Sequence, residues 1–382
     1  MIIGIDATNI RSGGGVTHLI ELLRILDPEK YGFKKIYVWS GRETLGKITD
    51  RPWLVKDYKA IFDKNLLFRA YWQRFVLSRL ARKYSCDVLF IPGGSYVGWF
   101  HPFVALSQNL LPFESSEAKR YGYSLKALRL LLLRISQASS FRRAEGMIFL
   151  TEYASNVIKS AIGYHAGLSS IISHGIDSRF FIAPRRQMEL DVYTFMKPIK
   201  ILYVSIIDMY KHQWHVVKAL SILRTKGIPI SGDFIGPACM PAFRRFANMI
   251  NDVDPRKEYI NYFGPIPHYE LHKYYSRADI FVFASSCENL PIILLEAMAS
   301  GLPIACSDRG PMPEVLGDAG VYFNPEDPES IANSLCQLIL SKELRETKAL
   351  AAFEKSKCYS WERCARQTLL LLNDVVNINR NI

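Results

Sequence analysis

Two glutamates, Glu288 and Glu296, stand in the run CENLPIILLEAMASG, where a polar loop gives way to an apolar stretch. Proline tolerates the first helical position because its missing N–H would have no partner there, so Pro291 marks a helix start. Gly301 closes that helix and Pro303 keeps it from continuing. A helix start exposes N–H groups and carries a partial positive charge, so the amides of Asn289, Leu290 and the residues after Pro291 can hold a phosphate without a metal. Glu288 lies in the loop beside that cradle. A carboxylate weakens a pure anion pocket, so Glu288 is better suited to accept hydrogen bonds from neutral hydroxyls such as those of a sugar. Glu296 falls ~7–8 Å further along the axis, where a second hydroxyl-bearing ring can be read. Two hydroxyl readers flanking an anion cradle describe a nucleotide sugar.

Such a loop needs a strand before it and a sheet around it. Strands and helices alternate through the whole chain, the pattern of α/β architecture with parallel sheets covered on both faces. Residues 2–5, 35–39, 88–91, 103–106 and 146–150 read as core strands of a first sheet, and 200–204, 231–235, 259–263, 280–284, 303–307 and 320–323 as those of a second. A chain of 382 residues, 49% hydrophobic, exceeds what one core usually holds, so two domains are expected. The expected division is an N-terminal domain over 1–180, an interdomain connection over 181–198, a C-terminal domain over 199–360, and a helix and tail over 361–382 that can pack back on the first domain. The polar NINRNI at the end reads as a tail without order.

Composition narrows the class. The start, MIIGIDATNI, reads as a buried strand rather than a signal peptide, and the longest apolar stretch, near Leu128, is broken by Arg129 and Arg134 and falls short of a membrane span. Seven scattered cysteines without a CxxC pair point to neither a disulfide framework nor a zinc site. The net charge of +12 is uneven: residues 1–180 hold 25 Lys and Arg against 14 Asp and Glu, and the rest is nearly balanced. Much of the excess sits in 64–84 and 119–143, where basic residues are interleaved with Phe68, Tyr71, Trp72, Phe75 and the run LRLLLLRI. Two readings stay open: a surface that rests on an anionic membrane and suits a lipid-linked acceptor, or packed helices with solvated arginines. No nucleic-acid motif accompanies the charge.

The block from Glu288 to Pro303, with Ala297-Met298-Ala299, Gly301 and Pro313-Glu314-Val315 in register, resembles the E-x7-E block of retaining glycosyltransferases of family 4. The resemblance implies the GT-B fold, two Rossmann-like doubly wound domains facing a central cleft. It implies that Glu288 contacts the donor sugar, that Asn289 and Leu290 hold the diphosphate through backbone amides, and that Glu296 binds the ribose. Lys211 aligns with the family lysine that neutralises the leaving diphosphate, which makes Glu288 and Lys211 the catalytic candidates. The family glycine and arginine of that segment are replaced by Ser205 and Ile206. The run Arg11-Ser12-Gly13-Gly14-Gly15 resembles the family's glycine loop, which assigns Gly14 and Gly15 to the donor side; it does not match the dinucleotide fingerprint. Gln108 and Asn109 occupy the positions of an acceptor-side His-Asp pair, and an amide cannot act as a base.

His174 in SHGID reads as structural, His101 as a strand-edge histidine, and Asp252-Val253-Asp254 as a polar turn rather than a metal-binding Asp-x-Asp. No metal and no cofactor are expected. The partners expected are a nucleotide sugar, GDP- or UDP-linked, and a glycan or lipid-linked oligosaccharide. The expected location is the cytoplasm or the inner face of the cytoplasmic membrane, and surface polysaccharide or lipopolysaccharide assembly the expected pathway. A GT-B-like epimerase or phosphorylase, and an inactive sugar-nucleotide sensor, are the rival readings.

Overall fold

The computed structural model describes residues 1–11 and 13–380; Ser12 of the glycine run and the last two residues of the tail lie outside them. The chain forms two compact units, Met1–Gly175 with Tyr359–Ile382, and Ile176–Cys358. Residues 181–198, expected as a connection, therefore belong to the second unit.

Unit 1 is built on seven parallel strands: β1 (Ile2–Asp6), β2 (Lys35–Trp39), β3 (Leu54–Asp57), β4 (Val88–Ile91), β5 (Phe103–Leu106), β6 (Gly146–Phe149) and β7 (Leu168–Ile171). Their order is β3-β2-β1-β4-β5-β6-β7. The central strands VLFI, FVAL and GMIF are buried at every position, as strands covered on both faces must be. The edge strands β3 (LVKD) and β7 (LSSI), absent from the expected set, are only half-buried and carry polar residues, so they lack an apolar run. Helix Trp361–Arg380 completes this unit, burying Trp361, Ala365, Leu369, Leu372 and Val376 along one face. Four residues of the polar tail are thus ordered helix. A side chain at Gly175 would put its Cβ 2.2 Å from the Trp361 backbone nitrogen, so the packing of that helix start requires glycine there.

Unit 2 carries six parallel strands: β8 (Ile199–Val204), β9 (Ile230–Ile235), β10 (Ile260–Tyr262), β11 (Ile280–Phe283), β12 (Ile304–Ser307) and β13 (Gly320–Phe323), in the order β10-β9-β8-β11-β12-β13. Residues 181–198 are tied to it by Ile182 N–H to the Ala299 carbonyl (2.9 Å) and by Arg345, which bonds Gln187 at 3.3 Å. In both sheets the connections leave in opposite directions from two adjacent strands, β1 and β4 in one and β8 and β11 in the other. Loops that diverge in this way open a crevice at the carboxyl ends of the strands, where α/β sheets bind ligands.

Candidate functional site

In unit 2 the loops after β8 and β11 meet at the crevice. The chain leaving β8 forms a short turn, Met209–Lys211, capped by Asp208, whose carboxylate accepts from the Met209 amide at 2.7 Å. It is pinned to the other loop by the Ser286 amide, which donates to the Tyr210 carbonyl at 2.8 Å, and by His212 Nε2 to Ser286 Oγ at 2.9 Å. His212 takes a left-handed φ of 52°, a conformation that a bulky residue adopts only when its surroundings hold it. From beneath, the Tyr203 hydroxyl donates to the Lys211 carbonyl. Burial pushes that phenol well above its ordinary pKa, so it remains a donor.

This framework aims Lys211 at Glu288. The two form an ion pair whose side chains are 5% and 15% exposed. The ammonium also lies 5.0 Å from the Tyr210 ring and 5.1 Å from the Phe283 ring, close enough for both ring faces to attract its charge. Asn289 and Leu290 follow, both buried, and the helix runs Ile292–Ala299 with Pro291 just before its first residue rather than within it. Ser205 is buried at the end of β8 and donates to the Ile206 carbonyl at 3.0 Å. Lys211, Glu288, Asn289, Leu290 and Ser205 thus converge on one crevice.

Glu296 is buried one helical turn from the C-terminus of the same helix, and both carboxylate oxygens are engaged. His268 Nε2 lies 2.8 Å from Oε1, and the Tyr275 hydroxyl donates to Oε2 at 3.1 Å. The hydrogen bond to Glu296 raises the His268 pKa against the opposing effect of burial, so the imidazole donates. Burial, with the Glu296 charge, pushes the Tyr275 phenol well above its usual value. The expected ribose reader is therefore a carboxylate oriented by two donors, with accepting lone pairs left over. His268 and Tyr275 went unseen in the sequence, although their spacing on helix His268–Tyr275 puts both on one face.

The Asp-x-Asp of residues 252–254 has a structural task. Asp254 is buried and its oxygens accept from the amides of Glu258, Tyr259 and Ile260 at 2.8, 3.0 and 2.8 Å. Among the described residues no cluster of His, Cys, Asp or Glu is arranged to hold a metal ion.

In unit 1 the loops after β1 and β4 border a cavity of about 650 Å³ that Gly15, Gln108 and Asn109 line together. A Cβ on Gly15 would meet Gln108 Oε1 at 2.5 Å, so the glycine lets this amide approach the start of helix Gly14–Ile25. Gln108 Nε2 in turn lies 3.2 Å from His18 Nδ1, while Asn109 Oδ1 accepts from the Leu111 amide at 3.1 Å and shapes the turn. His18 stacks on His174 with centroids 4.5 Å apart, and His174 on Trp361 at 5.6 Å. Burial lowers the His18 pKa to about 4 and takes His174 well below its ordinary value. His174 is a packing residue. His101 pairs with Glu145 at 2.7 Å on the surface.

Comparisons with known proteins bear on this arrangement. Residues 185–354 match the family described as "Glycosyl transferases group 1". A curated relative, the O-antigen chain mannosyltransferase B of Escherichia coli, is 35% identical over 114 residues, 30% of each chain. The D-inositol 3-phosphate glycosyltransferase of Corynebacterium glutamicum is 26% identical over 229 residues, 56% of this chain and 53% of that one. The chain thus spans about a third to about half the length of these relatives. Among solved structures, sucrose-phosphate synthase from Thermosynechococcus elongatus superposes with a TM-score of 0.77 at 16% identity, covering 99% of this chain and 100% of that one. HepE of Anabaena, crystallised with UDP and glucose, superposes at 0.70 and 15% identity over 98% and 100%. The fold is GT-B, as the resemblance implied.

Proposed function

We propose, from the match of residues 185–354 to the group 1 glycosyl transferases, that this protein transfers a hexose from a GDP- or UDP-linked donor to a glycan or lipid-linked oligosaccharide. The transfer retains anomeric configuration and needs no metal ion. The observation that carries the reading is the buried Lys211–Glu288 pair at the crevice between β8 and β11. Glu288 receives the hydroxyls of the donor sugar, and the amides at Asn289 and Leu290 hold the diphosphate. Lys211 meets the charge that builds on the leaving phosphate, the kind of contact that supplies much of the stabilisation in such transfers. Glu296, held by His268 and Tyr275, accepts from the ribose. The amides of Gln108 and Asn109 cannot act as bases, and the departing phosphate takes the acceptor's proton. Surface polysaccharide or lipopolysaccharide assembly fits a relative named as an O-antigen chain mannosyltransferase.

The test is thermal protection by a panel of nucleotide sugars with chelator present, repeated with Glu296→Ala. Selective protection by one donor, lost in the variant, is the expected result. Protection that appears only when a divalent ion is restored would overturn the metal-independent site.

A further inference from the structure

The cavity of unit 1 has a composition unlike that of a sugar pocket alone. Its outer wall is apolar: Leu66, Leu67, Leu125, Leu128 and Leu132 all line it and are between 49% and 87% exposed. They come from two amphipathic stretches, Leu66–Trp72 and Leu125–Arg143, each set on a polar N-cap, Asn65 and Ser124. Leucines exposed to that extent on two segments, around one opening, form an apolar surface larger than isolated exposed residues account for.

The inner wall is cationic and polar. Arg69 lines the cavity while being 91% buried, because its relative exposure is 9%. Its Nη1 donates to the Thr8 carbonyl at 2.9 Å, whereas its Nε has no hydrogen-bond partner. Burial lowers the pKa of the guanidinium, and the charges of Arg11 and Arg129 lower it further, which places three arginines within electrostatic reach of one another. Asp6, at the end of β1, offsets this in part, but its oxygens already accept from Thr8 and Gln73. Among the described residues that line the cavity none is acidic. Asn9 Oδ1, Ser95 Oγ and Gln137 Oε1, on the same wall, also carry no hydrogen bond. Buried donors and acceptors left unpaired are costly, and their concentration at one place is where a polar ligand belongs.

We propose that this cavity binds the phosphate-bearing head of a lipid-linked acceptor, with Arg69 and Arg129 on the phosphate and the lipid chain along the exposed leucines. The proposal rests on the glycosyltransferase reading and names the acceptor class for it. A neutral glycan would satisfy the unpaired oxygens but would leave Arg69 with only the buried Asp6 to balance its charge, and the leucine rim without a partner. A free phosphate would satisfy the arginines alone. A lipid phosphate answers both, and puts the sugar it carries beside Asn9, Ser95 and Gln137.

The test is calorimetric titration of the whole chain, without donor, using dodecyl phosphate below its micellar concentration, methyl phosphate and the neutral amphiphile dodecyl maltoside. Dodecyl phosphate is expected to bind at least tenfold more tightly than either of the others. Arg129→Ala, an exposed position, and Leu128→Asp, on the rim, should each weaken it tenfold or more. Arg69→Gln should do the same, and thermal protection by nucleotide sugar, read separately on each variant, shows that the second unit remains folded. Equal binding of methyl and dodecyl phosphate would reduce the site to one for free phosphate and overturn the lipid assignment. Equal binding of dodecyl maltoside, or affinity for dodecyl phosphate unmoved in Arg129→Ala, would overturn the role of the arginines. Absence of binding with donor protection intact refutes this inference and leaves the glycosyltransferase reading standing.

Discussion

Lowering the pH from about 7.5 to about 5 should destabilise unit 1 through His18. The imidazole is buried and burial alone holds its pKa at about 4, against 6.5 for a free histidine. Below pH 6.5 the unfolded chain takes up a proton that the folded chain refuses, so stability present above that value drains away as the pH falls toward 4. Since one pKa unit is worth ~1.4 kcal/mol, the loss reaches roughly 2 kcal/mol at pH 5 and saturates near 3 below pH 4. His174, pushed down by burial and by the neighbouring His18 charge, adds to the loss in the same direction. The perturbation is His18→Gln, which keeps a polar group near Gln108 and has no proton to gain. Urea unfolding at a series of pH values should show a slope between 7.5 and 5 that is smaller in the variant by about 2 kcal/mol over the interval. Identical slopes in both proteins would refute the reasoning, as would a His18 ring resonance that titrates near 6.5.

Four variants of the second unit give further outcomes. Lys211→Met should lower kcat by ~10²–10³, as loss of one stabilising contact to the leaving group does, and should destabilise the fold by about 3 kcal/mol by leaving Glu288 unpaired. Lys211→Met/Glu288→Gln should recover most of that stability but none of the rate, which steady-state kinetics and urea midpoints read separately. His268 has a raised pKa, so its contribution is present below 6.5 and is lost as the pH rises through the raised value. The thermal midpoint of His268→Gln should therefore be flatter across this range than that of the wild type. Gly236→Ala should cost about 3 kcal/mol or more, because φ is 143° and the new Cβ would stand 2.0 Å from the Ser205 carbonyl oxygen.

What could be read from the sequence divides along physical lines. Strands buried on both faces announce themselves by unbroken apolar runs, so β4, β5, β6 and β11 stood where expected. The edge strands β3 and β7 bury half their surface, and a half-buried LVKD or LSSI looks like a loop. The strand–loop–helix block around Glu288 was legible because proline, glycine and carboxylate each have a positional reason to be there. The partners that orient Glu296 were not, since His268 and Tyr275 reach it across 28 and 21 residues of chain and only the packed sheet brings them together. Arg69 went unweighed for the opposite reason. It lies in a segment so rich in arginine that nothing in the sequence distinguishes it from its neighbours, and only the packed structure shows it buried at the cavity.

Ile206 changes how the remaining cation must work on the proposed reading. A donor diphosphate brings its negative charge to a crevice where Lys211 is already paired to a carboxylate and no arginine stands at position 206. A unit charge at 4 Å is worth ~4 kcal/mol at an effective dielectric near 20, so a phosphate that comes to that distance gains from the ammonium without breaking its pair with Glu288. An ammonium has three donors and can serve both at once. The rings of Tyr210 and Phe283, 5.0 and 5.1 Å away, flank it. Lys211 then ties the carboxylate that holds the sugar to the phosphate that leaves it, so the two ends of the breaking bond are positioned by one side chain. A guanidinium is not an equivalent replacement: its planar fork matches one carboxylate through two parallel bonds, and pairing with Glu288 in that plane would fix where its remaining N–H groups point.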